Sequence, residues 1–248
     1  NELDLYCGQE NGEIVSYLNN GTTTVNNFRY NNKFPYGDTH YGQQQNWGND
    51  INNAVFKNSS IILDNMYYSN GYDTSGVTNI ALIGWGEGST TPTISNISGM
   101  ISSYVYNSFS KDIVNTQPNN WQVDYDQFLK HGNFDSEDNQ SYIDVGDNAS
   151  PALLPTGINV NVNISNDVIS TPKIDLYIGN KDGKIQYYEF GQLTLSNRKL
   201  DFTNNWTSRG NIVDSASNVI DVGNNSKPIF ANVNGDSIYH LFIGCGDG

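Results

Sequence analysis

Three of the four tryptophans follow an asparagine, as Asn46-Trp47, Asn120-Trp121 and Asn205-Trp206. An indole beside a side-chain amide suits a sugar, since the ring stacks on the carbohydrate face while the amide bonds its hydroxyls. The same ring, recurring once per repeat, also suits packing of one sheet against the next. Trp85 differs because it directly follows Gly84 at the end of an apolar run, where an exposed ring would serve recognition. Trp47, Trp85, Trp121 and Trp206 are therefore the candidate ligand-binding residues. Inter-sheet packing is the competing reading of the three Asn-Trp pairs.

Catalytic constellations are not legible. His40, His131 and His240 stand in unrelated contexts, and the chain contains no Gly-x-Ser-x-Gly elbow, His-Glu-x-x-His or Cys-x-x-Cys motif. Asp135, Glu137 and Asp138 crowd together, and paired carboxylates hydrolyse glycosidic bonds. Their Asn- and Ser-rich surroundings read more simply as a solvated loop. The Gly84–Gly88 stretch does not open a helix, so it lacks the context that binds phosphate. The expectation is a protein that is not an enzyme.

A repeat must position these residues. LDLYCG, ending at Gly8, returns as IALIG ending at Gly84, as IDLYIG ending at Gly179 and as HLFIG ending at Gly244. Gly turns such as Glu10-Asn11-Gly12 and Lys181-Asp182-Gly183 then lead into a second β-rich run, a strong hairpin signal. Ser141–Leu154 and Asn218–Phe230 also match each other, with Ile-Asp-Val-Gly, Asn, Ser and Pro in register. Helical periodicity is absent; Val123–Gly132 comes nearest and is short. Units that recur at this scale must stack to bury their faces. The reading is an all-β chain, a β-propeller of four-stranded antiparallel blades with about four units visible. Their approximate limits are 1–60, 61–140, 141–217 and 218–248, in one domain that is either a single propeller or a fragment of a larger one. The Gly markers lie 76, 95 and 65 residues apart, so long insertions separate strands.

Composition narrows the partners. The net charge of −14 argues against nucleic acid, which requires clustered Lys and Arg. No run of about 18 apolar residues is present, so no helical membrane insertion is expected. Charged residues make up only 15%, while 16 Tyr and 10 Phe supply bulk for a core, so the chain reads as folded. Asn crowding fits turns, and equally fits a compositional bias of the source. Cys7 and Cys245 flank the Gly positions of the first and last units. They would form a disulfide if those units met in a closed ring, and would otherwise be two half-buried thiols.

Pro228–Gly248, PIFANVNGDSIYHLFIGCGDG, resembles the FG-GAP or VCBS repeat family: an apolar pair, an Asp-x-Asn-Gly-Asp-type loop, a Gly-ended run and a short Gly turn. Asp4–Gly21 and Asp175–Gly191 resemble its second half. The resemblance implies an integrin-α-like or lectin-like propeller, extracellular or on the cell surface. It also implies a non-catalytic module that binds a glycan or a partner protein through its loops. The alternative is a scaffold segment of a larger secreted toxin, adhesin or filament, with the rest of that chain or assembly as partner. Calcium in the loop is a further implication, with Asn232, Asn234 and Asp236 as side-chain ligands. This chain departs from the pattern in having one carboxylate there and His240 where the family usually has Asp.

Overall fold

The computed structural model describes residues 5–8, 14–19, 28–34, 56–57, 60–68, 76–88, 98–106, 121–131, 141–164, 167–190, 194–196, 199–201, 206–236 and 238–247. Among them every regular element is a strand. The first unit pairs β1 (Leu5–Gly8), β2 (Ile14–Asn19) and β3 (Phe28–Phe34) as a three-stranded antiparallel sheet. Gly8 faces Ile14 across the pair.

The second unit begins with the short β4 (Phe56–Lys57), followed by β5 (Ser60–Tyr68), β6 (Gly76–Gly84) and the short β7 (Glu87–Gly88). With β8 (Ile101–Tyr106) and β9 (Trp121–Phe128) it forms a four-stranded antiparallel sheet in the order β5-β6-β8-β9, while β4 and β7 pair separately. The Val123–Gly132 stretch thus contributes strand rather than helix. Two short strands, β10 (Lys130–His131) and β11 (Ser141–Tyr142), then lead into the third unit.

The third unit is built on the long hairpin of β12 (Ser150–Ile164) and β13 (Asp167–Gly179), followed by β14 (Ile185–Phe190). A small β15 (Thr194–Ser196) and β16 (Lys199–Asp201) hairpin precedes β17 (Trp206–Asn211), which returns to pair with β14. Along β14, Ile185, Tyr188 and Phe190 are buried. Opposite Tyr187 and Tyr188 the partner strand β17 carries a bulge, with Arg209 the extra residue and Gly210 at φ 82°. The last unit is the two-stranded β18 (Lys227–Ala231) and β19 (His240–Gly244).

Each Gly-ended run (β1, β6, β13, β19) therefore lies in a sheet of its own. The sheets pack in a row: β1 against β5, β5 against β12 and β13, and these two against β18. The main core lies between the second and third units, where Leu82, Ile101, Leu129, Ile143, Leu176 and Trp206 meet. The β-rich apolar runs supply it because alternate residues of a strand reach one face.

Among the described residues the sheets built on the Gly-ended runs hold three, four, six and two strands rather than a uniform four, two further two-stranded pairs stand beside them, and the sheets do not close on themselves. The six-stranded one arises because β10 pairs with β17, in parallel at His131 and Trp206, which adds β10 and β11 to the third unit's edge. Cys7 and Cys245, at opposite ends of the row, are free thiols.

Candidate functional site

The residues that recur in sequence meet at the seams between units. Gly84 lies under the next unit, where a Cβ would come within 2.0 Å of the Ala149 carbonyl oxygen and 2.8 Å of Pro151 Cδ. Gly179 repeats the arrangement, at 2.1 Å from the Ser226 carbonyl oxygen and 2.7 Å from Pro228 Cδ. Only a residue without a side chain fits there.

Three backbone bonds close each seam. At the first, the amides of Val145, Asn148 and Ala149 donate to the carbonyls of Gly99, Gly86 and Trp85 at 3.2, 3.3 and 3.3 Å. At the second, the amides of Val222, Asn225 and Ser226 donate to Gly183, Lys181 and Asn180 at 3.0, 2.9 and 2.9 Å. The Ile-Asp-Val-Gly segments supply the donors. Asp144 and Asp221 accept the Gly146 and Gly223 amides, each at 2.9 Å, forming side-chain-closed turns. Asn148 and Asn225 follow in left-handed conformation, which Asn tolerates better than most residues. Within each later unit the turn after the Gly is tied to the same segment: the Lys181 amide donates to Asp147 and the Gly246 amide to Asn224.

These turns line up as one edge. Asp144, Lys181, Asp182, Asp221, Asn224 and Asp247 are exposed along it. Lys181 Nζ pairs with Asp147 at 3.0 Å, and Asn148 Nδ2 donates to Asn225 Oδ1 at 2.6 Å, so the edge is cross-braced. The Ser98 hydroxyl, then the Lys181 ammonium, hold the Asp147 carboxyl below its ordinary value. Chemically, the edge presents acceptors and amides for hydroxyls or cations on a braced backbone.

The tryptophans behave differently from a stacking surface. Trp85 is 1% exposed, and its Nε1 donates to Ser102 Oγ at 2.9 Å. The position after Gly84 does end a strand, and its carbonyl takes the Ala149 amide of the next unit at 3.3 Å. Trp206 is also buried, its ring 4.8 Å from that of Phe190. Neither ring presents a face to a ligand. Trp121 begins β9, and nothing further is described of its side chain. Trp47, His40, Asp135, Glu137 and Asp138 lie outside the described residues.

The loop of the last unit is closed by its own side chains. Asn232 Oδ1 accepts the Gly235 amide at 2.7 Å, Asp236 Oδ1 accepts the Ile238 amide at 3.0 Å, and Gly235 takes φ 71°. Asn232, Asn234 and Asp236 are all exposed. Calcium takes six to eight oxygens and favours several carboxylates, whereas this loop has one carboxylate and turns two side-chain oxygens onto backbone. His240 adds an imidazole, a poor ligand for a hard cation. The loop thus offers a cation one carboxylate, Asp236, beside Asn232 and Asn234.

A contact that the sequence did not signal joins His131 Nε2 and Ser141 Oγ at 3.2 Å, across β10 and β11. Nucleophilic catalysis needs the base oriented by a third group and donors for the oxyanion. Among the described residues no carboxylate bonds His131, whose ring lies 5.9 Å from that of Tyr188. Gly99, with φ 81° against Gly146, also escapes sequence comparison, because an insertion separates it from Gly84 where Gly183 follows Gly179 closely.

No known protein family, curated protein or solved structure matches the chain.

Proposed function

We propose that the chain is a non-catalytic recognition module, extracellular, that binds a glycan or a partner protein through the loop edge at its seams. The units are read as blades of a propeller of FG-GAP or VCBS type. The observation that carries the reading is the braced row of exposed Asp144, Lys181, Asp182, Asp221, Asn224 and Asp247 on successive turns. Binding is favoured where polar groups are held in place before the ligand arrives. Such a row suits hydroxyl-rich or basic ligands, and its acidic bias disfavours nucleic acid and anionic membranes. Calcium at Asn232, Asn234 and Asp236 forms no part of it.

A scaffold segment within a larger secreted assembly is the second reading. Burial of Trp85 and Trp206 favours it, since the rings most suited to sugar stacking serve the core instead. Binding of the purified chain to a glycan array separates the two. Saturable signal on a defined sugar class, lost in Asp221→Ala with Asn224→Ala, supports recognition. Flat signal on every sugar favours the scaffold.

A further inference from the structure

We infer that the outer face of the β18–β19 hairpin is a docking seat for one further repeat segment, of the type Asp-x-Gly-x-Asn-Ser/Ala-x-Pro. The inference rests on the seams and holds whether or not the loop edge binds a glycan.

Among the described residues two seats of this kind are occupied. Gly84 takes the Ala149–Pro151 segment, and Gly179 takes Ser226–Pro228, each with a carbonyl and a proline ring pressed against the missing side chain. Gly244 is the last glycine of the series, and a Cβ there meets nothing nearer than Lys227 at 3.8 Å, its own hairpin partner. The carbonyls of Trp85 and Asn180, each one residue past its Gly, accept amides from the following unit. Among the described residues no amide reaches the carbonyl of Cys245, their counterpart.

The apolar surface follows the same logic. Ala152 and Tyr177 pair across β12 and β13, as Ile229 and Phe242 pair across β18 and β19. Ala152 is 1% exposed, and the Tyr177 ring meets Phe230 of the next unit at 4.7 Å. Ile229 is 59% exposed and Phe242 46%. Two large apolar side chains open to water beside an unfilled glycine seat are an interface without its other half.

The occupant is not one of the two segments this chain carries in register, because both are already docked. Its chemistry is set by the filled seats: an Asp-closed turn, a left-handed Asn, a small residue whose carbonyl lies on the glycine, and a proline two residues later.

The test is titration of the full chain into a fluorescent peptide of sequence NVIDVGNNSKPIFA, read by anisotropy. Saturable binding is expected, weakened roughly tenfold or more in Gly244→Val, where a branched side chain fills the seat. That variant keeps its fold because position 244 is open, which circular dichroism and thermal melting verify. Phe242→Ser, a change on an already exposed position, weakens binding by a second route. Absence of saturable binding, or equal binding by wild type and Gly244→Val, overturns the inference. So does concentration-dependent self-association that Gly244→Val abolishes, since the seat would then belong to a second copy of the chain.

Discussion

Asn148 and Asn225 occupy the same place in successive units, and the amide of the first donates to the carbonyl oxygen of the second at 2.6 Å. Both residues sit at positive φ, 58° and 55°, so each combines a backbone requirement with a side-chain bond. Replacement of either by Ala removes the bond and strains the left-handed position, costing about 2 kcal/mol. Asn→Gly relieves the strain and leaves a loss of about 1 kcal/mol. Urea unfolding of the single and double Ala variants should show a non-additive loss, as expected for two groups that bond to each other.

Gly179 and Gly84 are predicted to reject Ala. The atoms opposite are backbone carbonyls and proline rings of the next unit, so the seam itself must move. A loss of about 3 kcal/mol is expected for either substitution, seen as a fall in Tm of roughly 6–12 °C. Gly244→Ala, in open space, leaves Tm unchanged.

Trp85→Phe should destabilise by about 1–3 kcal/mol, because the Ser102 hydroxyl loses its donor and the smaller ring leaves a void. Ligand affinity should not change, since the ring is buried. A tryptophan that stacked on sugar would show the reverse: lost affinity and intact stability.

The seam also predicts an acid response. The Asp147 carboxyl titrates lower in the folded chain than its ordinary 3.8, so the unfolded chain binds the proton more readily. Stability from this group is present above 3.8 and is lost as pH falls through the folded value. Asp147→Asn should flatten that part of the Tm-against-pH curve and leave the curve above pH 5 parallel to wild type. Because the pair with Lys181 is largely exposed, salt should reduce the difference.

At the alkaline end the tyrosines of the third unit act. Burial pushes Tyr188 up to about 12, and burial with the neighbouring Asp175 raises Tyr187 and Tyr177 as well. The charged form is disfavoured only in the folded chain, so stability is full below about 10 and declines as pH rises toward 12. Phenolate absorbance should show a late-titrating class in the folded chain that merges with the rest in urea. Tyr188→Phe should remove one member of it.

Much of this architecture was legible in the amino-acid sequence. Apolar runs that end at Gly8, Gly84, Gly179 and Gly244 become strands in four separate sheets because alternating β-branched and aromatic residues bury one face of a pleated chain. Asp144-Val145-Gly146 and Asp221-Val222-Gly223 read as equivalent because a turn closed by Asp and opened by Gly tolerates few other residues. Sequence could not assign the direction of a side chain at a strand end. Trp85 has the neighbours of an exposed recognition residue, yet its ring is buried and bonded to Ser102, a residue 17 positions later on β8. Nor could sequence count strands per sheet, because the pairing of His131 with Trp206 joins residues 75 apart through a single backbone contact. Local chemistry set which residues form strands and turns; the docking of one unit on the next decided which faces stay open to water.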